Sequence, residues 1–198
     1  MGDIISLGLL GRFNVEGVAR ELRAAAGYGP HEVTGALRFA TGYLGVGSVF
    51  IVPAEEVCGD GEATAAGEIL IRRGLEPSYE EFRIYRACAE HWLTTRGHKF
   101  DSLARQDAAY DAVGAALQAP ADAFVEAVLE HGEDFAELAE DFDASQTAMA
   151  LRLGEVTGRA VRVERPGLTR VRGTWKRGGP VRRVQLTDAP DRFAFVAA

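Results

Sequence analysis

The sequence has few cysteines, no long apolar run and no leader-like beginning, and each absence narrows the class of protein. Cys58 and Cys88 are the only cysteines in 198 residues. Two cysteines do not make a disulfide framework, so a reducing cytoplasm is the expected location. No apolar stretch reaches the ~20 residues that a membrane-spanning helix needs. The beginning of the chain contains an acidic residue and no small-residue cleavage site, unlike a signal peptide. Since hydrophobic residues make up 47% of the chain, we expect a cytoplasmic globular protein with no membrane partner.

The net charge of −7 conceals two oppositely charged parts of the chain. From Arg152 onward there are eleven Lys or Arg residues and four acidic ones, a balance of +7, so the preceding part carries −14. A basic tail of this kind is typical of proteins that bind nucleic acid or an acidic partner. The alternative is a basic subdomain that folds against an acidic one. The arginines alternate with Val and Leu as in an antiparallel sheet, which favours the second interpretation and leaves the first open.

Hydrophobic periodicity divides the chain into early strands, central helices and late strands. Because this order does not repeat a βαβ unit, we predict an α+β fold in which a buried strand at 48–52 and a strand at 68–72 form a small sheet. Residues 58–67 are expected to be a flexible loop, and Gly178-Gly179-Pro180 a turn. Apolar spacing of three or four predicts helices at residues 15–26, 31–43, 77–97, 107–117, 120–132, 133–141 and 145–156. Alternation predicts further strands at 160–164, 168–172, 181–186 and 193–196.

The central stretch, Tyr79–Gly97, reads YEEFRIYRACAEHWLTTRG. A helix that carries a His near its end, followed by an acidic helix, is typical of several zinc peptidases. Their sites use a helical H-E-x-x-H motif, in which two imidazoles one turn apart bind the metal and the Glu polarises the metal-bound water. Residues 87–91 here read ACAEH. The framework of such a site is therefore predicted without most of its chemistry.

Three segments together resemble the ImmA/IrrE family, bacterial zinc peptidase-like proteins that are usually linked to regulators. The segment GEILIRRGLEPSYEEFRIYRACAEHWL resembles the family's strand, lead-in and A-H-E-L-G-H helix. The segment DAAYDAVGAALQAP, from Asp107 to Pro120, resembles E-x-x-A-N-x-F-A-A-x-L-L-x-P. The segment FAELAEDFDASQTAMALRL is similar to L-A-x-x-F-x-V-S-x-x-A-M-x-x-R-L. Its matching positions are Leu138, Ala139, Phe142, Ser145, Ala148, Met149, Arg152 and Leu153.

The resemblance implies both an architecture and a function. It implies a helical metallopeptidase-like (zincin-like) core at residues 1–130, a helix-turn-helix-like helix pair at 131–158 and a basic β-rich segment at 159–198. It also implies a regulatory or interaction protein of the bacterial cytoplasm. The expected partner is a protein such as a regulator or a component of a toxin system.

The sequence departs from the family's pattern at the catalytic positions. With His91 in place of the second His, Ala87 replaces the first His and Cys88 replaces the catalytic Glu, while Asp107 stands where the family has the Glu that supplies the third zinc ligand. Zinc needs three protein ligands and an open position, so at most a vestigial metal site of Cys88, His91 and Asp107 remains. We therefore predict a pseudoenzyme with no catalytic residue and no cofactor. In this register Ala87 and the ring of His91 flank one cavity, with Asp107 across it on the facing helix.

Two other functions stay open on the sequence. One is an active zinc peptidase with Cys88, His91 and Asp107 as substituted ligands. The other is a DNA-binding regulator that uses the basic tail and the helix at 145–156. The residues of that helix predicted to point outward are Gln146, Thr147 and Arg152.

Overall fold

The chain forms helices and two separate β-sheets, which confirms the predicted α+β class. The computed structural model describes Leu10 and residues 13–165, 168–172, 180–188 and 191–197. The helices in these ranges are α1 (Val15–Ala25), α2 (Ala36–Leu44), α3 (Pro77–Thr95), α4 (Leu103–Gln118), α5 (Ala121–His131), α6 (Phe135–Asp141) and α7 (Gln146–Thr157). The strands are β1 (Val49–Val52), β2 (Gly61–Ala63), β3 (Ile69–Arg72), β4 (Val161–Arg165), β5 (Leu168–Arg172), β6 (Val181–Gln185) and β7 (Phe193–Ala197).

The chain divides into two compact units. The first unit is Arg12–Ala123, and the second contains Phe124–Ala198 together with Leu10. The predicted division into three segments, at residues 130 and 158, stays a prediction. Among the described residues no single helix is long and apolar enough to cross a membrane, although α4 and α5 taken together, bent by 57°, satisfy the length and composition.

The first unit is built around α3. This helix begins at Pro77, where the side chain of Glu76 accepts hydrogen bonds from the next two backbone N–H groups, each at 3.2 Å. The neighbouring helix α4 begins earlier than predicted because the hydroxyl of Ser102 caps it by accepting from the N–H of Arg105 at 3.3 Å. The two helices approach closely at Gly114, where a Cβ would lie 2.9 Å from the Cα of Arg86. Any larger residue at this position would push α3 and α4 apart.

A three-stranded sheet completes the first unit and corrects two predictions. Its order is β1-β3-β2, with β1 parallel and β2 antiparallel to β3, so the predicted pairing of 48–52 with 68–72 is confirmed. The segment 58–67 is not all loop, because Gly61–Ala63 pairs with β3. Strand β1 is not buried, since Phe50 and Ile51 remain 42% and 41% exposed at the sheet edge.

Helix α2 also begins later than predicted, at Ala36 rather than at residue 31. The carboxylate of Glu81 on α3 accepts a hydrogen bond of 2.6 Å from the N–H of Ala36. The preceding residues instead wrap around Arg23, whose buried guanidinium donates to the carbonyls of Gly29 and Glu32. A carboxylate from another helix and a guanidinium from α1 thus fix the start of α2.

In the second unit, α7 packs on one face of a four-stranded antiparallel sheet of order β5-β4-β7-β6. The predicted late strands are confirmed to within one residue at each end. At Gly154 a Cβ would lie 3.2 Å from the side chain of Val161 and 2.8 Å from that of Arg172, so the helix lies directly against β4 and β5. The predicted turn at Gly178-Gly179 lies outside the described residues.

Candidate functional site

The candidate site lies where α3 meets α4 and centres on Arg86. Its Nη2 lies 3.0 Å from Asp107 and its Nε 2.7 Å from Asp111, both on α4. Its Nη1 lies 3.3 Å from Glu90, one turn further along α3. The guanidinium carbon is also 5.5 Å from the ring centroid of Tyr110. One cation therefore holds three carboxylates from two helices.

We call this group of four charged side chains the Arg86 cluster, and it is partly open to solvent. The side chain of Arg86 is 12% exposed, whereas that of Asp107 is 68% exposed. Burial raises the pKa of Glu90, and the charge of Arg86 opposes that rise. Because one guanidinium faces three carboxylates, the net charge of the cluster is negative at neutral pH.

His91 does not face this cluster. Its Nδ1 forms a hydrogen bond of 2.8 Å with the hydroxyl of Tyr43 on α2, and the two rings meet edge to face. Burial lowers the pKa of His91, so its ring is neutral at pH 7. Burial also raises the pKa of Tyr43 to about 12. The pair is thus a neutral hydrogen bond between α2 and α3.

The structure does not bring together the three predicted metal ligands. Asp107 is paired with Arg86, His91 with Tyr43, and Cys88 is fully buried, which raises the pKa of its thiol. The predicted cavity shared by His91 and Asp107 is therefore wrong. Among the described residues, no group of three or more His, Cys, Asp or Glu side chains is arranged to hold a metal ion. The residues present do not fit zinc in that register.

The predicted arrangement fails because Arg86, and neither Ala87 nor His91, reaches the carboxylates of α4. Arg86 forms ion pairs with Asp107 and Asp111 on α4, and Glu90 pairs with the same guanidinium. Arg86 and Glu90 are one turn apart, as the two imidazoles of H-E-x-x-H would be. Ala87, which is buried, then follows the first of them, where that motif has its Glu. The signal was present in the sequence as two facing pairs spaced by four, Arg86 with Glu90 and Asp107 with Asp111.

The residues predicted to contact DNA are also placed differently. Arg152 is buried and forms an ion pair of 3.5 Å with Glu155. Gln146 is buried too, and its side chain exchanges hydrogen bonds of 2.6 and 2.7 Å with Thr187. Thr147 is half-buried and accepts from Arg192 at 3.4 Å. The outward orientation predicted for Gln146 and Arg152 is therefore wrong. For Gln146 the cause is a segment about forty residues later, which covers this end of α7.

Part of the basic tail is neutralised within its own unit. Glu133 forms ion pairs with Arg159 and Arg182, and Glu155 forms ion pairs with Arg152 and, at 2.6 Å, with Arg172. The pairs at Glu133 agree with the interpretation in which the basic part of the chain folds against acidic residues that precede it.

Comparison with known proteins gives a likeness of fold. No protein-family model and no curated protein matches the chain. Among solved structures, a Mycobacterium tuberculosis transcriptional regulator superposes with a TM-score of 0.62 at 12% sequence identity. The alignment covers 92% of this chain and 87% of that one. At this identity the comparison shows the fold alone.

Proposed function

We propose that this chain is a non-catalytic regulatory protein built on a metallopeptidase-like helix pair of the ImmA/IrrE type. In this proposal the guanidinium of Arg86 stands where a metal ion would lie in a catalytic relative. The single observation that carries it is the set of contacts between Arg86 and three carboxylates from two facing helices, all within 3.3 Å.

The chemistry of the cluster supports this assignment. A zinc peptidase needs a Lewis acid with an open coordination position and a carboxylate base beside it. A guanidinium offers a fixed positive charge but no orbital for a water oxygen, and it does not activate a nucleophile at neutral pH. Ala87 supplies no base. The cation can therefore replace the structural role of a metal, joining α3 to α4, without the hydrolytic one.

The regulatory part of the proposal is supported by the fold. The neighbour that superposes over most of both chains is a transcriptional regulator. We propose a role of the same kind here, exerted through a protein partner such as a regulator or a component of a toxin system. Deleting the gene should change the transcripts of a limited set of genes, and wild-type protein should restore them. No change in any transcript would contradict a regulatory role.

The metal-replacement part is tested by restoring ligands in two registers. The variant Arg86→His/Glu90→His should take up one zinc ion per chain, because both imidazoles then face Asp107 and Asp111. The matched variant Ala87→His, which creates the pair with His91, should take up none. Zinc is measured by elemental analysis after dialysis, and hydrolysis with a mixed peptide library.

Zinc uptake by the two variants distinguishes the proposal from its alternatives. If Ala87→His binds zinc and Arg86→His/Glu90→His does not, the assignment of the Arg86 cluster is wrong. Stoichiometric zinc in the unmodified protein, lost in His91→Ala and accompanied by chelator-sensitive hydrolysis, would establish the active peptidase instead.

A further inference from the structure

The outer face of the second unit's sheet combines aromatic and basic side chains in a regular pattern. Side chains alternate along each strand, and Val161, Val163, Ala194 and Val196 are buried on the face toward α7. The residues between them point the other way. Cross-strand pairing places them in two rows, one of Val171, Arg162, Phe195 and Arg183, and one of Thr169, Glu164, Phe193 and Gln185.

The two phenylalanines of this face lie on β7, an inner strand of the sheet. They are two residues apart, so their rings are separated by roughly 6.6 Å along the strand. Each carries a guanidinium: Arg183 lies 3.7 Å from the centroid of Phe193, and Arg162 lies 4.8 Å from that of Phe195. Both rings keep part of their surface accessible, and Arg183 is exposed.

We propose that this face binds single-stranded nucleic acid. Unpaired bases stack on aromatic rings and on guanidinium planes, while arginines contact the phosphates. Two neighbouring positions of this kind, at Phe195 with Arg162 and at Phe193 with Arg183, fit two successive bases laid along an inner strand. A duplex offers no such base faces, because its bases are stacked inside. The face itself carries Arg162 and Arg183 against Glu164, so its net charge is positive and opposite to that of this ligand.

One acidic residue of the face should weaken binding of the proposed ligand, so removing its charge has a predictable effect. Glu164 lies in the row of Phe193, and its carboxylate is 2.9 Å from the Nε of Arg162. It repels a phosphate and neutralises the nearest cation. Phosphate contact should therefore be strongest at Arg183, and removing the charge of Glu164 should strengthen binding.

The test uses the full chain with labelled twelve-nucleotide oligo-U, oligo-dT and a duplex of the same length, measured by fluorescence anisotropy. Both single strands should bind and the duplex should not, and the tighter of the two single strands identifies RNA or DNA as the ligand. The slope of log K against log salt should be about −1.4 if two phosphates are contacted. Phe193→Leu and Phe195→Leu should each weaken binding about tenfold without changing that slope. Arg183→Gln should weaken binding and make the slope shallower by about 0.7, and Glu164→Gln should tighten binding.

The matched control is Phe50→Leu, an equally conservative change of an exposed phenylalanine in the first unit, which should leave binding unchanged. The proposal is overturned if neither single strand binds at low salt, if the duplex binds as tightly, or if the Phe193 and Phe195 variants bind like the wild type. If either variant fails to fold, Arg183→Gln and Glu164→Gln still decide, because both residues lie on the surface and must shift affinity in opposite directions. These outcomes do not depend on zinc uptake by the Arg86 cluster.

Discussion

Replacing Arg86 by methionine removes the cation that joins α3 to α4 while keeping most of the side chain's apolar length. The exposed Asp107 pair contributes little, about 0.5 kcal/mol or less, because solvent screens it. Asp111, 46% exposed and at 2.7 Å, contributes about 0.5–1 kcal/mol. Glu90 is 27% exposed, and losing its partner costs about 1 kcal/mol after a discount for exposure. Contact with the Tyr110 ring adds about 0.5 kcal/mol. We therefore expect Arg86→Met to lower the free energy of unfolding by about 2–3 kcal/mol.

The assay is equilibrium unfolding in urea at pH 7, followed by circular dichroism and fluorescence. The control is Arg20→Met, which breaks an exposed pair with Asp122 of 3.4 Å and should cost less than about 0.5 kcal/mol. Because burial already raises the pKa of Glu90 and Arg86 opposes the rise, the variant's Glu90 should titrate at still higher pH. The loss should then shrink as the pH falls and Glu90 becomes neutral in both proteins. A loss no larger than that of Arg20→Met at pH 7 would refute the view that the Arg86 cluster joins the helices.

Three further outcomes follow from buried groups of the first unit. Arg23→Met should lower the unfolding free energy by about 3–5 kcal/mol, because three backbone carbonyls lose a buried donor. Arg23→Lys should recover part of this loss. A Met variant as stable in urea as the wild type would contradict the prediction. Burial lowers the pKa of His91 in the folded protein, so the unfolded chain binds a proton more readily. The contribution of His91 to stability should therefore be fully present above pH ~6.5 and be lost as the pH falls through the folded-state pKa. The melting temperature of His91→Gln should lose this part of the pH dependence, and an unchanged profile would count against it. A thiol reagent should modify Cys58 rapidly in the native protein and Cys88 only after unfolding, because Cys88 is buried and its pKa is raised; two rapid equivalents would show that α3 opens readily.

Much of the fold could be predicted from periodicity, and the exceptions have physical causes. The helix at α3 and the late strands were found because long apolar patterns at period 3.6 or 2 have few alternatives. Strand β2 was missed because three residues, Gly61–Ala63, carry no pattern, and only pairing with β3 makes them a strand. The start of α2 was misplaced because it depends on two residues of other helices, Arg23 on α1 and Glu81 on α3.

The candidate site shows a different limit of sequence reasoning. Matching a motif aligned residues 87 and 91 with zinc ligands, but which face of α3 meets α4 depends on packing at Gly114. That packing turns Arg86 and Glu90 toward α4 and His91 toward Tyr43. Likewise, the predicted strands after α7 did not reveal which side of that helix they would cover, and Thr187 lies against Gln146. Charge pairs at matching intervals would have been the better guide to the α3–α4 face.

The order of strands in the second unit has a consequence for synthesis of the chain. Strand β7 lies between β4 and β6 and is hydrogen-bonded to both, although it is the last described strand to be translated. Until it has left the ribosome, β4 and β5 can pair only as a hairpin, and β6 has no partner in the sheet. The first unit, in contrast, takes its sheet and its four helices from residues that emerge earlier. A nascent chain therefore passes through a stage in which the first unit can be folded while β6 still lacks its only partner in the sheet, Phe193–Ala197.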